Sequence, residues 1–273
     1  MDVKFLHLDF GDGVYAISAP ATEQMYLVCG TQKAALIDTG MGIGSLKDYV
    51  RKLTDLPLIV INTHGHPDHG GGNGEFEDVP IYMSARDIEI YEHMCTTQFR
   101  IKDVKFMIGK EVNQIKNEFI SGQPKTSDVV DGMTFDLGGR TLKTIAVPGH
   151  TPGCICLYDD LTRCLFAGDS LTIGDTWMYL DHSLPLMTYL KSMVRLLGMN
   201  LPISRIFPGH LPTPVAPDMI LRKIACAKAI IANPQIGTPV TTFAGSGLRH
   251  EKEGGAIIYD PLKINEDNNQ HRP

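Results

Sequence analysis

The chain has 273 residues, of which 43% are hydrophobic and 21% charged, and its net charge is −6. This length can bury a sizeable core, and the acidic balance argues against a surface built to neutralise nucleic-acid phosphates. The N-terminal stretch MDVKFLHLDFGDG lacks the apolar run of a secretory signal, no window has the length of a membrane span, and the six cysteines are scattered. We therefore expect a cytoplasmic protein with reduced thiols.

The first predicted elements alternate short strands with helices. MYLVCG and AALIDTG predict a hairpin of two strands, and GSLKDYVRKLTDL has helical spacing behind Ser45 as N-cap. LIVIN predicts a strand that runs straight into THGHPDHGGGN, and VPIYMS with ARDIEIYEHM predict a further strand and helix. This alternation is typical of an α/β fold.

The second half begins after residues 97–122, which look mostly helical and which we interpret as an insertion or a lid over a site. The stretches GMTFDLGGRTLKTIAVPGH, RCLFAGDS and ISRIFPGH then repeat one pattern, in which an apolar run ends in Gly plus His or Asp. We interpret residues 1–273 as one domain with two similar halves that face each other.

The stretch THGHPDHGGGN, residues 63–73, places three imidazoles and a carboxylate within six residues, directly before three glycines. Gly65, Pro67 and these glycines exclude a regular helix through the motif, so we expect a loop. Glycines let the backbone pass close to a dense cluster, and they also permit positive φ.

The backbone around Pro67 predicts how the polar side chains of the motif are aimed. Pro67 biases His66 toward an extended conformation, and in an extended segment His64 and His66 share a side and can converge on one point. The turn after Pro67 could then aim Asp68 and His69 at a second point nearby.

Three further candidates are His150 in VPGHTPG, Asp169 in FAGDS and His210 in FPGH, and each follows a short apolar run and a glycine. A lone histidine is more often a hydrogen-bonded core or surface residue than a ligand. Seven donors in matching contexts instead indicate a metal site.

This ordered set of motifs resembles the metallo-β-lactamase-fold hydrolases, and THGHPDHGGGN is especially similar to the glyoxalase II version. The resemblance covers residues 20–215. It implies a four-layer αββα sandwich of two mixed β-sheets flanked by helices.

The resemblance also implies two divalent metal ions with a bridging hydroxide as nucleophile, Asp68 relaying the proton, and Asp38 in LIDTG supporting the ligands. Ligation by nitrogen and oxygen alone favours zinc but leaves iron and manganese open. One ion would be held by His64, His66 and His150, the other by Asp68, His69 and His210, with Asp169 bridging the two.

At several positions the sequence departs from the patterns of particular subfamilies, and these departures disfavour some of the family's activities. Asp169 stands where many metallo-β-lactamases have cysteine, which disfavours β-lactam hydrolysis. His66 stands where oxygen-reducing relatives have Glu, which disfavours a redox role. The run after Asp169 lacks the GCGR-like segment of glyoxalase II. At the place of a substrate-contacting tyrosine of lactonases it has Thr172, with Tyr179 farther on.

We therefore predict a dinuclear metal-dependent hydrolase of a small-molecule ester-type bond, either a thioester or a lactone. A phosphodiesterase or sulfatase on the same metals is the alternative among enzymes, and a non-catalytic metal-dependent binding or sensor protein is the alternative from another class. We expect a small-molecule substrate, neither nucleic acid nor a membrane as partner, and leave a homodimer open.

Residues 97–122 and 170–190 are expected to decide what is hydrolysed. Trp177 and Tyr179 lie in TWMYL, a predicted loop that either lines the pocket or packs in the core, and Arg249 could reach an anionic substrate. We interpret Cys154 and Cys156 as core thiols, and His182 and His250 as surface or rim residues.

Overall fold

The computed structural model describes residues 4–19, 23–108 and 112–265. Its largest sheet has seven strands that follow one another in chain order, antiparallel up to β4 and parallel from β4 to β7. The predicted hairpin is confirmed as β3 and β4. The strands are β1 (Leu6–Asp9), β2 (Val14–Ser18), β3 (Gln24–Cys29), β4 (Ala34–Ile37), β5 (Leu58–Ile61), β6 (Ile81–Met83) and β7 (Ser127–Asp128).

A second sheet of five strands has the order β13, β11, β10, β9, β8. Its strands pair antiparallel except for β11 and β13, which are parallel and therefore end at the same edge. The strands are β8 (Thr134–Asp136), β9 (Thr141–Ala146), β10 (Ile155–Asp159), β11 (Cys164–Gly168) and β13 (Arg205–Pro208).

A third sheet of four strands goes beyond the two sheets that the sequence predicts. TWMYL, predicted as a loop, lies partly in strand β12, which pairs in parallel with β16. This partner lies far along the chain, so the local sequence does not reveal it. The strands are β12 (Asp175–Met178), β14 (Thr238–Thr242), β15 (Gly245–Lys252) and β16 (Gly255–Tyr259).

Helices flank the sheets, and Ser45 is confirmed as an N-cap because its side chain accepts a hydrogen bond from the backbone N–H of Asp48. Within the three described ranges, no helix has both the length and the apolar character to cross a membrane. The helices are α1 (Leu46–Arg51), α2 (Pro67–Gly70), α3 (Ile88–Met94), α4 (Thr97–Ile108), α5 (Val112–Ile115), α6 (Leu186–Gly198) and α7 (Met219–Ala232).

Buried side chains fill three layers of core and confirm the predicted αββα sandwich. Between the two large sheets, Tyr26 of the first packs on Phe166 and Phe207 of the second, with ring centroids 5.2 Å apart in both pairs. The outer face of the first sheet is covered by α1, and the outer face of the second by α6 and α7.

The two sheets are joined at the edge where β4, β5, β11 and β13 end. The backbone N–H of Gln24 donates to the carbonyl of Gly209 at 2.8 Å, and the Tyr26 hydroxyl donates to the carbonyl of Pro208 at 2.5 Å. The predicted polar residues that follow these strands are therefore brought to a single edge.

A buried ion pair joins the sheets at the opposite part of the sandwich. The Arg140 guanidinium lies 3.2 and 2.5 Å from the two carboxylate oxygens of Asp159, and both side chains are almost fully buried. Arg140 also donates to the carbonyls of Asp12 in the β1–β2 turn and Cys29 in β3, both on the side of the first sheet.

We predict that Arg140→Ala lowers the free energy of unfolding by about 3–5 kcal/mol, because it leaves the Asp159 carboxylate buried without its cation. The matched control is Arg222→Ala, which removes an exposed pair with Asp218 and should cost about 1 kcal/mol or less. Urea denaturation measures both, and equal losses in the two variants would contradict the role given to Arg140.

Candidate metal centre

The motif at residues 63–73 leaves strand β5 and aims its side chains in two directions. His66 is extended, with φ −71° and ψ 156°, as Pro67 predicts. The expectation of a loop throughout is wrong, because residues 67–70 form the single helical turn α2. Pro67 occupies the first position of this turn, where its fixed φ suits a helix and its missing N–H has no intrahelical partner to lose.

The glycines of the motif serve close approach and not positive φ, which is absent at Gly65, Gly71 and Gly72. A Cβ on Gly72 would lie 2.4 Å from the carbonyl oxygen of Thr39, and one on Gly71 would lie 2.7 Å from Cδ of Arg100. Neither distance is compatible with a side chain, so neighbouring segments can pack directly on the motif.

The first predicted group of ligands converges as expected. Nδ1 of His66 lies 3.0 Å from Nε2 of His64 and 3.0 Å from Nε2 of His150, and all three side chains are buried. Nδ1 of His150 lies 2.6 Å from the carbonyl oxygen of Trp177, which holds the ring with Nε2 directed at the cluster. These three nitrogens could hold a metal ion.

The second predicted group lies beside the first. Oδ2 of Asp68 lies 3.4 Å from Nε2 of His210 and 3.7 Å from Nε2 of His69. Asp169 stands between the groups, with Oδ1 3.3 Å from Nε2 of His69 and Oδ2 3.6 Å from Nε2 of His150. The structure thus brings all seven predicted side chains together.

Two atoms at the centre of the cluster fit a bound cation. Nε2 of His69 and Oδ1 of Asp169 are buried and lie 3.3 Å apart, yet neither makes a hydrogen bond of acceptable geometry among the described residues. Buried polar atoms are costly when they lack a partner. An imidazole nitrogen and a carboxylate oxygen facing the same point are the donors that a divalent metal ion takes.

Burial and neighbouring charges shift the pKa values of the clustered histidines in opposite directions. Burial, together with neighbouring imidazoles, holds the pKa values of His64 and His66 well below the usual range, which favours the neutral, ligating form. Burial also acts to lower the pKa of His210, but Asp169 and Asp68 offset it and raise that pKa to about 9. His64 and His66 therefore favour the neutral form, whereas His210 is paired with carboxylates.

Asp38, at the end of β4, orients His69 through contacts on the side of the ring that faces away from the cluster. Its Oδ1 accepts the backbone N–H of Thr63 at 2.7 Å, and its Oδ2 accepts the Thr63 hydroxyl at 2.8 Å. Nδ1 of His69 also lies 2.8 Å from Oδ2 of Asp38. This contact leaves Nε2 of His69 free to face the cluster, which is the arrangement expected of a carboxylate that supports a metal ligand.

Two residues beside the cluster were not assigned to it from the sequence. Nε2 of His182, interpreted as a rim residue, lies 2.6 Å from Nε2 of His66. Asp87, which is buried, accepts the backbone N–H groups of Gly65 and Gly153 at 2.9 and 2.6 Å. Neither lies in a motif, and no local signal distinguishes them from other loop or helix-cap residues.

Helix α4, within the predicted insertion, is fixed beside the motif by Arg100. This fully buried side chain donates to the carbonyls of Met41 at 2.7 Å and Cys95 at 3.0 Å. Farther along the same helix, burial and the charge of Asp68 raise the pKa of Asp103 to about 6. The segment therefore flanks the cluster, and its action as a lid stays a prediction.

The remaining sequence interpretations concern cysteines and Arg249. Cys154 and Cys156 are buried free thiols of the core, as predicted, and burial raises the pKa of Cys156 to about 12. Arg249 lies 2.8 Å from Asp175 and 2.9 Å from Glu251, so its charge is paired within the third sheet.

Comparisons with known proteins agree with this geometry. The chain is 27% identical over 265 residues to the Bos taurus protein named acyl-coenzyme A thioesterase MBLAC2, covering 89% of this chain and 93% of that relative. It is 25% identical to a probable polyketide biosynthesis zinc-dependent hydrolase, BaeB, of Bacillus velezensis, covering 68% of this chain and 71% of the relative.

A solved structure of a metallo-beta-lactamase from Pontibacter korlensis superposes with a TM-score of 0.61 at 18% identity, covering 82% of this chain and 99% of the other, and so supports the fold. The family model of the metallo-beta-lactamase superfamily matches residues 20–210. These residues include all seven clustered side chains. The chain thus belongs to the metallo-beta-lactamase superfamily and is an enzyme of the hydrolase class.

Proposed function

We propose that the protein hydrolyses thioesters of small molecules, with acyl-coenzyme A thioesters as the substrate class. The observation that carries the proposal is the convergence of seven buried or half-buried donors into overlapping groups that share His64 and His69. The thioester is favoured over a lactone because a relative of nearly the same length is named an acyl-coenzyme A thioesterase.

In this proposal the seven side chains hold two zinc ions. Zinc is preferred because ligation by nitrogen and oxygen suits it, and because one relative is named a zinc-dependent hydrolase. When bound, such ions lower the pKa of a water molecule and polarise a carbonyl oxygen. The first ion would be held by His64, His66 and His150, the second by Asp68, His69 and His210, and Asp169 would contact both.

Asp68 has the position needed to move a proton during the reaction. Its side chain is a quarter exposed, whereas that of His69 beside it is fully buried. A partly exposed carboxylate next to the reacting atoms can accept a proton from the nucleophile and pass it to the departing thiolate or to solvent. The neighbouring imidazoles of His69 and His210 would keep it oriented.

We predict that the protein binds about two zinc ions and that Asp38→Asn lowers its zinc affinity by about 10- to 100-fold, because His69 loses the carboxylate that orients it. Elemental mass spectrometry gives the zinc content, and competition with a chromophoric chelator gives the affinity. Asp78→Asn is the control, since Asp78 pairs with Lys47 at an exposed position. Equal affinity in both variants would contradict the role of Asp38.

We predict that zinc-loaded protein turns over acyl-coenzyme A thioesters faster than a lactone or bis-p-nitrophenyl phosphate. Chelation should abolish turnover and added zinc restore it, and His66→Ala should reduce it to background. Rates are followed by release of free thiol. A protein that holds two zinc ions and cleaves no thioester refutes the proposal, and a faster rate on the phosphodiester would assign the site to phosphodiester hydrolysis.

We predict that Asp68→Asn lowers kcat by about 10²- to 10⁴-fold, because an amide cannot accept the proton. The zinc content of the variant is measured in parallel, so that a lost ion is distinguished from a lost base. Unchanged kcat at full zinc content would exclude Asp68 as the proton acceptor.

A further inference from the structure

An aromatic row runs across three segments that are far apart in the chain. It consists of Trp177 on β12, Phe243 at the β14–β15 turn and Phe106 on α4. The ring centroids of Trp177 and Phe243 are 5.4 Å apart, and those of Phe243 and Phe106 are 5.8 Å apart. Each ring therefore touches the next.

The rings of this row are partly or largely exposed, whereas aromatic side chains are usually buried in a folded protein. Phe106 has 68% of its surface exposed and Phe243 has 40%, while Trp177 is half-buried. A single exposed apolar side chain needs no explanation, but rings from separate elements that meet at the surface indicate a binding site.

The row begins at the candidate metal centre. The carbonyl oxygen of Trp177 lies 2.6 Å from Nδ1 of His150, so the strand that carries the first ring also holds a proposed ligand. The helix that carries the far ring packs beside the same centre, because Cδ of Arg100 on α4 lies so close to Gly71 that a Cβ there would come within 2.7 Å.

The uncharged aromatic side chains of the row indicate what kind of ligand it can bind. Trp177, Phe243 and Phe106 carry no formal charge and offer ring faces and edges, which attract an aliphatic chain and give no counterion to a phosphate. The residue that carries the first ring also contacts a proposed ligand through its carbonyl oxygen, which suits the part of a substrate that extends from the scissile carbonyl.

We propose that the aromatic row binds the aliphatic acyl chain of the thioester and makes the enzyme selective for medium and long chains. This inference rests on the proposed function, because it names the acyl half of the same substrate. Each methylene that leaves water for the row strengthens binding, by up to about fourfold when it is fully buried.

The first test is a series of coenzyme A thioesters from acetyl to dodecanoyl. We expect kcat/KM to rise with chain length, and the ratio of the dodecanoyl to the acetyl value to fall about tenfold in Phe243→Ala and in Phe106→Ala. The matched control is Leu262→Ala, which removes an exposed apolar side chain elsewhere and should leave the ratio unchanged. Ratios unchanged in both aromatic variants would overturn the inference.

The second test needs no turnover. Trp177 is the single tryptophan of the chain, so its emission reports directly on occupancy of the row. Titration with dodecanoate below its micellar concentration should shift this emission saturably, with an affinity about tenfold weaker in Phe243→Ala, whereas acetate should cause no shift. No shift with dodecanoate would overturn the inference.

Together the two tests separate failure of the inference from failure of the proposed function. Thioester turnover without chain-length dependence or an emission shift overturns the aromatic row and keeps the thioesterase. A saturable shift without turnover of any thioester keeps the aliphatic site and overturns the thioesterase. A dimer that dissociates in Phe106→Ala, seen by light scattering, would assign the row to contact between copies and also overturn the inference.

Discussion

The carboxylate of Asp38 is the contact on which the organisation of the centre depends. It accepts hydrogen bonds from the backbone and hydroxyl of Thr63 and lies 2.8 Å from Nδ1 of His69. It thereby ties the end of β4 to the end of β5 and to the helical turn after Pro67. Asp38 adopts a φ of 62°, a conformation in which a residue other than glycine is uncommon, so this backbone is held by the contacts that the carboxylate makes.

Much of the centre could be predicted from the sequence because its ligands follow strands. Strands that pair in parallel end at one edge, so β11 and β13 bring Asp169 and His210 together, and β5 delivers the residues 63–73 to the same place. Local rules also foresaw the extended His66 and the glycines that admit neighbouring backbone. The helical turn 67–70 was missed because Pro67 both ends an extended segment and starts a helix.

The features that sequence did not predict depend on partners far along the chain. His182 meets His66, and Asp87 fastens Gly65 to Gly153, through contacts that no local pattern encodes. Strand β12 exists because β16, some eighty residues later, pairs with it. The same separation along the chain explains why the aromatic row could not be predicted from the sequence. The proposed metal ligands thus lie in short sequence motifs, whereas the three rings of the aromatic row come from segments that are far apart in the chain.

The proposed function requires the seven converging side chains to hold two metal ions. Anomalous diffraction from crystals of the zinc-loaded protein tests it most directly. We expect two peaks. One should lie within about 2.0–2.1 Å of Nε2 of His64, Nδ1 of His66 and Nε2 of His150, and the other at similar distances from the second group. No peak at these positions, or zinc held elsewhere on the chain, would contradict it.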